Sequence, residues 1–356
     1  MTMSAETRMA EPLVGPTERQ TAARRQIAIW LFAVAALIFA MVIVGGLTRL
    51  TESGLSITEW KPVMGALPPL SDAAWADAFA RYRQIPQYEL VNKGMTLGDF
   101  KSIFWWEWSH RFLGRFIGFA FLVPFLWFLG TRRIERALAP QLAIMFVLGG
   151  LQGVLGWWMV KSGLSDRIDV SQYRLTAHLG LATLIYAYMV WVALGLWRGR
   201  AAIAASEGLR RAALVLAGLV FFQMLLGGFV AGLKAGYIYN TWPSINGAFI
   251  PSDLFFVTPW WRNFFESQLT AQFDHRMVAY LVAIATAWHW LAARRFAEAS
   301  RSATWLALAV AAQICLGIWA LLWAVPVPLG AAHQAGALVV FTLAIVHAQR
   351  LAARPD

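Results

Sequence analysis

Long apolar runs recur along the whole chain, and they constrain its fold more than any other feature. Segments of about 20 apolar residues, the length that spans the hydrocarbon of a bilayer, lie at eight places: 27–47, 105–129, 141–160, 174–197, 210–232, 272–292, 303–323 and 329–349. With 59% hydrophobic and 14% charged residues, the chain is too apolar for a soluble protein. The sequence therefore predicts an all-α integral membrane protein with eight transmembrane helices.

Basic residues are concentrated on one side of the predicted membrane. Five connecting or terminal segments carry net positive charge: 1–26, 130–140, 198–211, 293–302 and 350–356. The loops that alternate with them are each neutral: 48–103, 161–173 and 233–271. Because positive loops stay in the cytoplasm, we predict that both termini are cytoplasmic, with residues 1–26 as an N-terminal tail. The net charge of +11 then follows from topology, and nucleic-acid binding is not expected.

The two halves of the chain share one register. An offset of 182 residues aligns six residues after the first span with identical ones after the fifth: Gly45, Gly46, Trp60, Gly65, Ala66 and Pro69 with Gly227, Gly228, Trp242, Gly247, Ala248 and Pro251. Each repeat then holds four helices, an even number, so both halves insert in the same orientation. We predict two parallel-repeat four-helix bundles, residues 27–200 and 210–350, with long outer loops at 48–103 and 233–271.

Four of the six histidines lie near the outer ends of the second and fourth spans of each half: His110, His178, His275 and His333. Ionisable side chains within a span are costly and are functional candidates. The repeat predicts two equivalent pairs, one in each half. Iron porphyrin with axial histidines from two helices of a four-helix bundle suits this arrangement. Zinc fits less well because a third and fourth ligand such as Cys or Asp do not accompany each pair, and structural hydrogen bonding is the other alternative.

Five arginines are predicted at the same outer ends as the histidines: Arg49, Arg111, Arg115, Arg174 and Arg276. Guanidinium groups pair with carboxylates in a planar geometry, so these side chains are candidates for binding haem propionates. We assign Arg276 to the second-half site, and Arg49, Arg111 and Arg115 to the first-half site.

The two halves differ in one residue beside the histidines. Glu107 lies three residues before His110, whereas Gln272 lies three residues before His275. A carboxylate can move protons during an oxidation and an amide cannot, so we predict chemistry in the first half and electron transfer in the second. A salt bridge from Glu107 to Arg111, four residues later, is an equally good interpretation.

The two remaining histidines lie deeper along the sixth and eighth spans. His289 follows His275, and His347 follows His333, by a spacing of about 21 Å along a helix and on nearly the same face. This spacing would allow a second haem on the inner side. The first half has Pro124 and Val192 at the matching places, so we favour coincidence.

Two motifs resemble those of the haem A synthase family, in its proteobacterial and mitochondrial branch. They are GGLTRLTESGLSITEWKP after the first span, and WWEWSHR, which contains the Glu107-x-x-His110-Arg111 pattern. With the other three histidines of the two pairs, the resemblance extends from about Gly45 to His347.

This resemblance implies that haem O enters the first half, where its C8 methyl group is oxidised to the formyl group of haem A by successive hydroxylations. It further implies that His275 and His333 ligate a resident haem b. His110 and His178 would frame the substrate haem, and Glu107 would be essential. Some members carry a cysteine pair in the first outer loop. The only cysteine here is Cys315, so no thiol-based step is expected.

The leading hypothesis is therefore an oxidoreductase of cytochrome oxidase assembly, acting on a haem methyl group in the bacterial inner membrane. Haem O synthase is the expected partner that supplies the substrate, and an unidentified electron-transfer partner is also expected. Two other classes remain open. One is a membrane b-type cytochrome that only transfers electrons, and the other is a transporter built on parallel repeats.

Overall fold

The chain folds into helices joined by loops, without a β-strand in the described residues. The computed structural model describes residues 17–60, 64–165, 167–198 and 205–352. Its α-helices, in chain order, are α1 (Glu18–Leu50), α2 (Asp72–Tyr82), α3 (Pro86–Leu90), α4 (Leu97–Gly130), α5 (Ala139–Lys161), α6 (Gln172–Arg198), α7 (Glu207–Gly232), α8 (Asn263–Glu266), α9 (Gln268–Ala293), α10 (Ala297–Leu322) and α11 (Val327–Ala352). All except α2, α3 and α8 are long and apolar enough to cross a membrane. The predicted all-α class and the eight spans are confirmed.

The first helix begins earlier than its apolar run, inside the predicted tail 1–26. Thr17 and Gln20 form a capping box, in which Gln20 N donates to Thr17 Oγ1 at 3.3 Å and Thr17 N donates to Gln20 Oε1 at 2.8 Å. Such reciprocal bonds satisfy two of the unpaired donors at a helix start, so α1 starts at Glu18. Residues 1–16 of the predicted tail lie outside the described residues.

The added turns of α1 carry an ion pair to the α4–α5 loop. Arg24 Nε and Nη2 donate to the two carboxylate oxygens of Glu135 at 2.6 and 2.9 Å. This hydrogen bonding lowers the pKa of the Glu135 carboxyl below its ordinary value. The bidentate geometry fixes the extended end of α1 against the loop.

Helix α4 also begins before its predicted span, because its first turns support the outer loop rather than cross the membrane. A capping box of Thr96 and Asp99 starts the helix, as the sequence indicates. Phe100 and Phe104 of α4 then pack against Trp75 and Tyr82 of α2, all of them buried. The apolar face of α2 is therefore covered by α4.

The eight long helices contact one another in two rings of four. In the first half, α1 and α5 each contact α4 and α6, and in the second half α7 and α10 each contact α9 and α11. The histidine-bearing helices α4 and α6 thus lie at opposite corners of one ring, and α9 and α11 at opposite corners of the other. This pattern is compatible with the predicted halves 27–200 and 210–350. Their relation as parallel repeats stays a prediction.

The two rings join where α1 and α6 contact α11 and α7, and residues one repeat apart meet at this junction. Lys234 Nζ donates to Glu52 Oε1 at 2.7 Å, and Arg49 Nη2 donates to the carbonyl oxygen of Ala231 at 3.1 Å, both across 182 residues. Asp169 lies 2.9 Å from Lys234 Nζ. Burial would lower the pKa of Lys234, but the two carboxylates outweigh it and raise that pKa. Positions that match in the predicted register therefore face each other.

The eight long helices differ in how much of their surface the protein covers. In their most apolar stretches, 50% of the residues of α6 and 44% of those of α1 are buried, but only 6% of those of α5. Outer positions such as Phe119 on α4 and Val147 on α5 are largely exposed. A soluble protein rarely exposes so large an apolar surface, so we expect these faces to contact lipid.

Candidate functional site

The four paired histidines lie on the second and fourth long helices of each ring. His178, His275 and His333 are all within about the first two turns of α6, α9 and α11. His110 is more than three turns into α4, because the first turns of that helix support the outer loop. Measured from the helix start, His110 is therefore deeper than the other three histidines, because α4 begins at Leu97 and not at residue 105 as predicted.

The second-half histidines face each other between opposite helices. The ring centroids of His275 and His333 are 6.5 Å apart, and the ring planes are inclined by 79°. A metal–imidazole bond is about 2 Å long, so two imidazoles on opposite sides of one iron have centroids about 6 Å apart. The observed separation fits a metal bound by both rings.

Each of the four histidines packs against a glycine of the preceding long helix. The pairs, with the distance from a Cβ built on the glycine to the nearest ring atom, are Gly45 with His110 (3.0 Å), Gly156 with His178 (3.0 Å), Gly227 with His275 (3.3 Å) and Gly317 with His333 (2.6 Å). A side chain at these positions would displace the imidazole, so glycine lets the ring lie against the helix backbone. The first-half and second-half histidines thus share this glycine contact, while the pairing of His110 with His178 stays a prediction.

Three glutamines that the sequence analysis did not single out bind three of these histidines. Their Nε2 atoms donate to histidine backbone oxygens: Gln152 to His178 (3.0 Å), Gln223 to His275 (2.9 Å) and Gln313 to His333 (2.8 Å). Each lies four residues before one of the packed glycines, so a Gln-x-x-x-Gly pattern occurs three times in apolar helices. This repeated pattern was the signal in the sequence that could have identified the three glutamines.

Glu107 is buried and fully engaged in holding the outer loop against α4. Arg111 Nη2 donates to Glu107 Oε1 at 2.6 Å, and Arg111 Nε donates to the same oxygen at 3.0 Å. Ser56 Oγ and the backbone N–H of Ile57 donate to Oε2 at 2.8 and 2.7 Å. Arg111 also donates to the carbonyl oxygens of Ile57 and Glu59. The salt-bridge interpretation of Glu107 is therefore confirmed, and its catalytic role stays a prediction.

The second half builds the equivalent contact with an amide. Arg276 Nη2 donates to Gln272 Oε1 at 2.5 Å, and Gln272 Nε2 donates to the carbonyl oxygens of Ala235 and Ile238, both at 2.8 Å. Arg276 also binds the carbonyl oxygen of Tyr239 at 2.9 Å. In both halves, a residue three before the histidine and the arginine after it attach the outer loop to the histidine helix.

The arginines predicted to bind propionates are largely committed to the protein itself. Arg111 and Arg276 bind loop carbonyl oxygens, as described above. Arg174 donates to the carbonyl oxygen of Trp158 at 2.7 Å and stacks over its ring. Arg49 binds the carbonyl oxygen of Ala231 and lies 3.9 Å from Asp169. Arg115 lies one turn after Arg111 on α4. Propionate binding by these side chains stays a prediction.

The deeper histidines bind each other instead of flanking a cofactor. His289 Nε2 and His347 Nε2 are 2.7 Å apart, and both side chains are buried. Ser302 Oγ lies 2.7 Å from His347 Nδ1. Iron between two imidazole nitrogens needs about 4 Å, so this pair leaves no room for a second haem. The interpretation of these two histidines as non-ligands fits the geometry.

Comparison with known proteins gives one consistent result. The family described as cytochrome oxidase assembly protein matches residues 28–345. The chain is 62% identical over 341 residues to Heme A synthase of Parvibaculum lavamentivorans, covering 96% of this chain and 98% of that protein. It is 53% identical over 335 residues to Heme A synthase of Nitrosospira multiformis, covering 92% and 94%. The Bradyrhizobium diazoefficiens Heme A synthase is 55% identical over 334 residues, with 93% and 92% covered.

Proposed function

The chain belongs to this family of cytochrome oxidase assembly proteins, and we propose that it makes haem A by oxidising the C8 methyl group of haem O to a formyl group through successive hydroxylations. The relatives that it matches over nearly their whole length are named Heme A synthase. The structural observation that best supports a haem enzyme is the 6.5 Å separation of the His275 and His333 rings. Helices α9 and α11 direct these two imidazoles towards each other, inside the second ring of four apolar helices.

In this proposal, His275 and His333 hold a resident haem b, and His110 and His178 frame the substrate haem. The glycine contacts support both assignments, because every one of the four rings lies in a cradle that a Cβ would fill. A haem b with two imidazole ligands, when bound, supplies one-electron transfer. The second half would then carry the electrons that the methyl oxidation exchanges with an external partner.

Glu107 is the proposed catalytic side chain of the first half. It lies three residues before His110, on the same side of α4. Its hydrogen bonds to Arg111, Ser56 and Ile57 hold the carboxylate in a defined position, and a positioned carboxylate can take or give a proton during an oxidation. Arg49, Arg111 and Arg115 remain proposed partners of the substrate propionates, and Arg276 of the haem b propionates.

The proposed location is the bacterial inner membrane, with both termini in the cytoplasm. The eight long apolar helices support a multi-pass protein, and the charge of the connecting segments supports the orientation. A hydrophobic substrate is best handed over within the bilayer. We therefore propose haem O synthase as a partner, together with an electron-transfer protein that exchanges electrons with the haem b.

The purely electron-transferring b-type cytochrome is the second candidate. Its main support was a possible inner haem between His289 and His347, and their 2.7 Å hydrogen bond removes that support. The two candidates also differ in their products, since a cytochrome leaves its haems chemically unchanged.

Pigment analysis tests the proposed function. Membranes from cells that lack this protein but receive haem O should contain no haem A, and expression of the protein should restore it. Separation of the extracted haems by reversed-phase chromatography identifies each pigment. Haem b alone, unchanged in the presence of haem O, would favour the cytochrome. Purified protein without haem absorbance would favour a transporter.

Replacement of Gly317 by alanine should weaken the resident haem site. Its Cβ would lie 2.6 Å from His333 Cε1, so the imidazole must move, and misplacing a metal ligand typically costs about 10- to 100-fold in affinity. We expect the haem b content of the purified protein to fall at least about tenfold. Gly218→Ala in α7 is the matched control, because a Cβ there meets no atom within 4 Å. Full haem b content in Gly317→Ala would contradict the assignment of His333 as a ligand.

A further inference from the structure

The glutamines that bind the histidines form a device that occurs at three of the four sites. In each case the amide nitrogen reaches the carbonyl oxygen of the histidine and also lies beside its ring. Gln223 Nε2 is 3.1 Å from His275 Nδ1, and Gln313 Nε2 is 3.1 Å from His333 Nδ1. Gln152 Nε2 is 3.4 Å from a ring nitrogen of His178. One side chain thus holds both the backbone and the ring of its histidine.

Each of these three glutamines also has a side-chain oxygen that accepts no hydrogen bond from the described residues. The Oε1 atoms of Gln152, Gln223 and Gln313 are buried and accept no hydrogen bond within the described part of the chain. Buried amide oxygens without a partner are rare in folded proteins. An imidazole that ligates a metal through one nitrogen usually donates the N–H of the other to an acceptor, which fixes the ring orientation. The uncommitted oxygen of each amide group is therefore a candidate acceptor beside its histidine, while the nitrogen is the atom that contacts the ring in the structure.

The fourth site lacks this device. In the register of 182 residues, Gly45 matches Gly227, and the residue that matches Gln223 is Met41. His110 keeps the glycine contact, since a Cβ at Gly45 would lie 3.0 Å from its Nε2. A thioether has no N–H to donate and is a weak acceptor. Accordingly, the His110 side chain makes no hydrogen bond among the residues that the structure describes.

We propose that Met41 makes His110 the loosely held member of the four histidines, so that the first-half haem can enter and leave while the second-half haem stays. This inference rests on the proposed function, in which one haem is substrate and the other is a resident cofactor. A substrate must exchange in every turnover, whereas a cofactor must not. His178, positioned by Gln152, then anchors the substrate haem, and His110 is the ligand that yields.

Three variants of the full-length protein, with Gln141→Met as a control, test the inference by haem release. Met41→Gln supplies the missing amide, Met41→Leu changes the same side chain without an amide, and Gln223→Met removes the amide from a second-half histidine. The purified proteins are mixed with excess apomyoglobin, which captures released haem. The haem that remains is then separated by reversed-phase chromatography. Haem O and haem A, which carry a farnesyl chain and are called farnesylated haem below, come from the first half, and haem b comes from the second.

The expected changes are opposite in the two halves. Met41→Gln should slow the loss of farnesylated haem about 10- to 100-fold, the usual effect of a partner that orients a metal ligand, and Met41→Leu should match the unaltered protein. Gln223→Met should accelerate the loss of haem b by a similar factor, whereas Gln141→Met, on the surface of α5, should leave it unchanged.

The outcomes separate this inference from the proposed function. If Met41→Gln releases farnesylated haem as fast as Met41→Leu, or if Gln223→Met keeps its haem b as long as the unaltered protein does, the inference is wrong although both haems are present. If the unaltered protein binds no farnesylated haem, the proposed function itself fails. Should Met41→Gln not fold, the Gln223→Met measurement still decides.

Discussion

Replacing His275 with glycine is expected to remove the resident haem b from the purified protein. The imidazole of His275 lies 6.5 Å from that of His333, and loss of one ring leaves the iron with a single protein ligand. Loss of a metal ligand weakens binding more than loss of a supporting contact, which itself costs about 10- to 100-fold. We expect less than about one tenth of the unaltered haem b content, measured by reversed-phase chromatography of the extracted pigment. His333→Gly should behave alike.

A control for this result is available within the same two helices. His289 and His347 are buried and bind each other at 2.7 Å, so His289→Gln removes a buried imidazole of α9 without touching the proposed ligands. It should retain haem b. Added imidazole should also restore part of the haem b absorbance to His275→Gly, because the space left by the ring can hold a free ligand. Full haem content in His275→Gly, or loss of haem only in His289→Gln, would contradict the assignment.

Replacing Glu107 with glutamine is expected to lower haem A formation at least about 100-fold, because general acid–base catalysis contributes about 10²- to 10⁴-fold. The amide keeps the size of the side chain and removes its proton acceptor. The amide nitrogen cannot accept a hydrogen bond from the backbone N–H of Ile57, so this buried donor loses its partner. One unsatisfied buried donor costs about 1–3 kcal/mol of folding stability. Conversion of haem O to haem A in membranes measures the first effect, and thermal unfolding of the purified protein measures the second.

The two effects of this substitution need a separate control. Ser56→Ala removes one hydrogen bond to Glu107 Oε2 and keeps the carboxylate with its bonds to Arg111 and Ile57, so it should reduce stability while lowering conversion far less than Glu107→Gln does. Haem b content should stay unchanged in both variants, since the second half is untouched. If Ser56→Ala loses as much conversion as Glu107→Gln, attachment of the loop is what matters. Full conversion by Glu107→Gln would end the catalytic assignment.

Both predictions test the proposed division of labour between the halves, and the structure sharpens that division. The sequence shows a carboxylate in one half and an amide in the other. The structure adds that Glu107 and Gln272 occupy equivalent positions, each bound to the following arginine and to the outer loop. An amide suffices in the second half because its nitrogen donates to the loop carbonyl oxygens of Ala235 and Ile238. The first-half loop instead presents the backbone N–H of Ile57 and the hydroxyl of Ser56 to Glu107 Oε2. Attachment alone therefore favours a carboxylate at Glu107, and the Glu107→Gln and Ser56→Ala comparison is needed to separate attachment from catalysis.

Only part of the site could be predicted from the sequence. The contacts that were not predicted all join residues that are distant in sequence or lie on different helices. Spacing along one helix correctly placed Arg111 beside Glu107, because residues four apart share a helical face. Spacing could not show that Ser56 and Ile57 bind the same carboxylate, since they lie about 50 residues away. The glutamines were visible only as a repeated Gln-x-x-x-Gly pattern in apolar helices. Their histidine partners could not be identified, because these lie on the next long helix.

The sequence by itself determined the eight spans and the family. The spans follow because the favourable free energy of transferring apolar residues into lipid adds up along consecutive residues. The family follows because each of the two motifs lies within one short stretch of sequence. The structure and the comparisons confirm both. Only the tertiary structure decided which side chains meet. It brought His275 to His333, joined His289 to His347, and gave Gln223 but not Met41 a histidine to hold. Distances between helices depend on how all of them pack together, and no stretch of sequence contains that information alone.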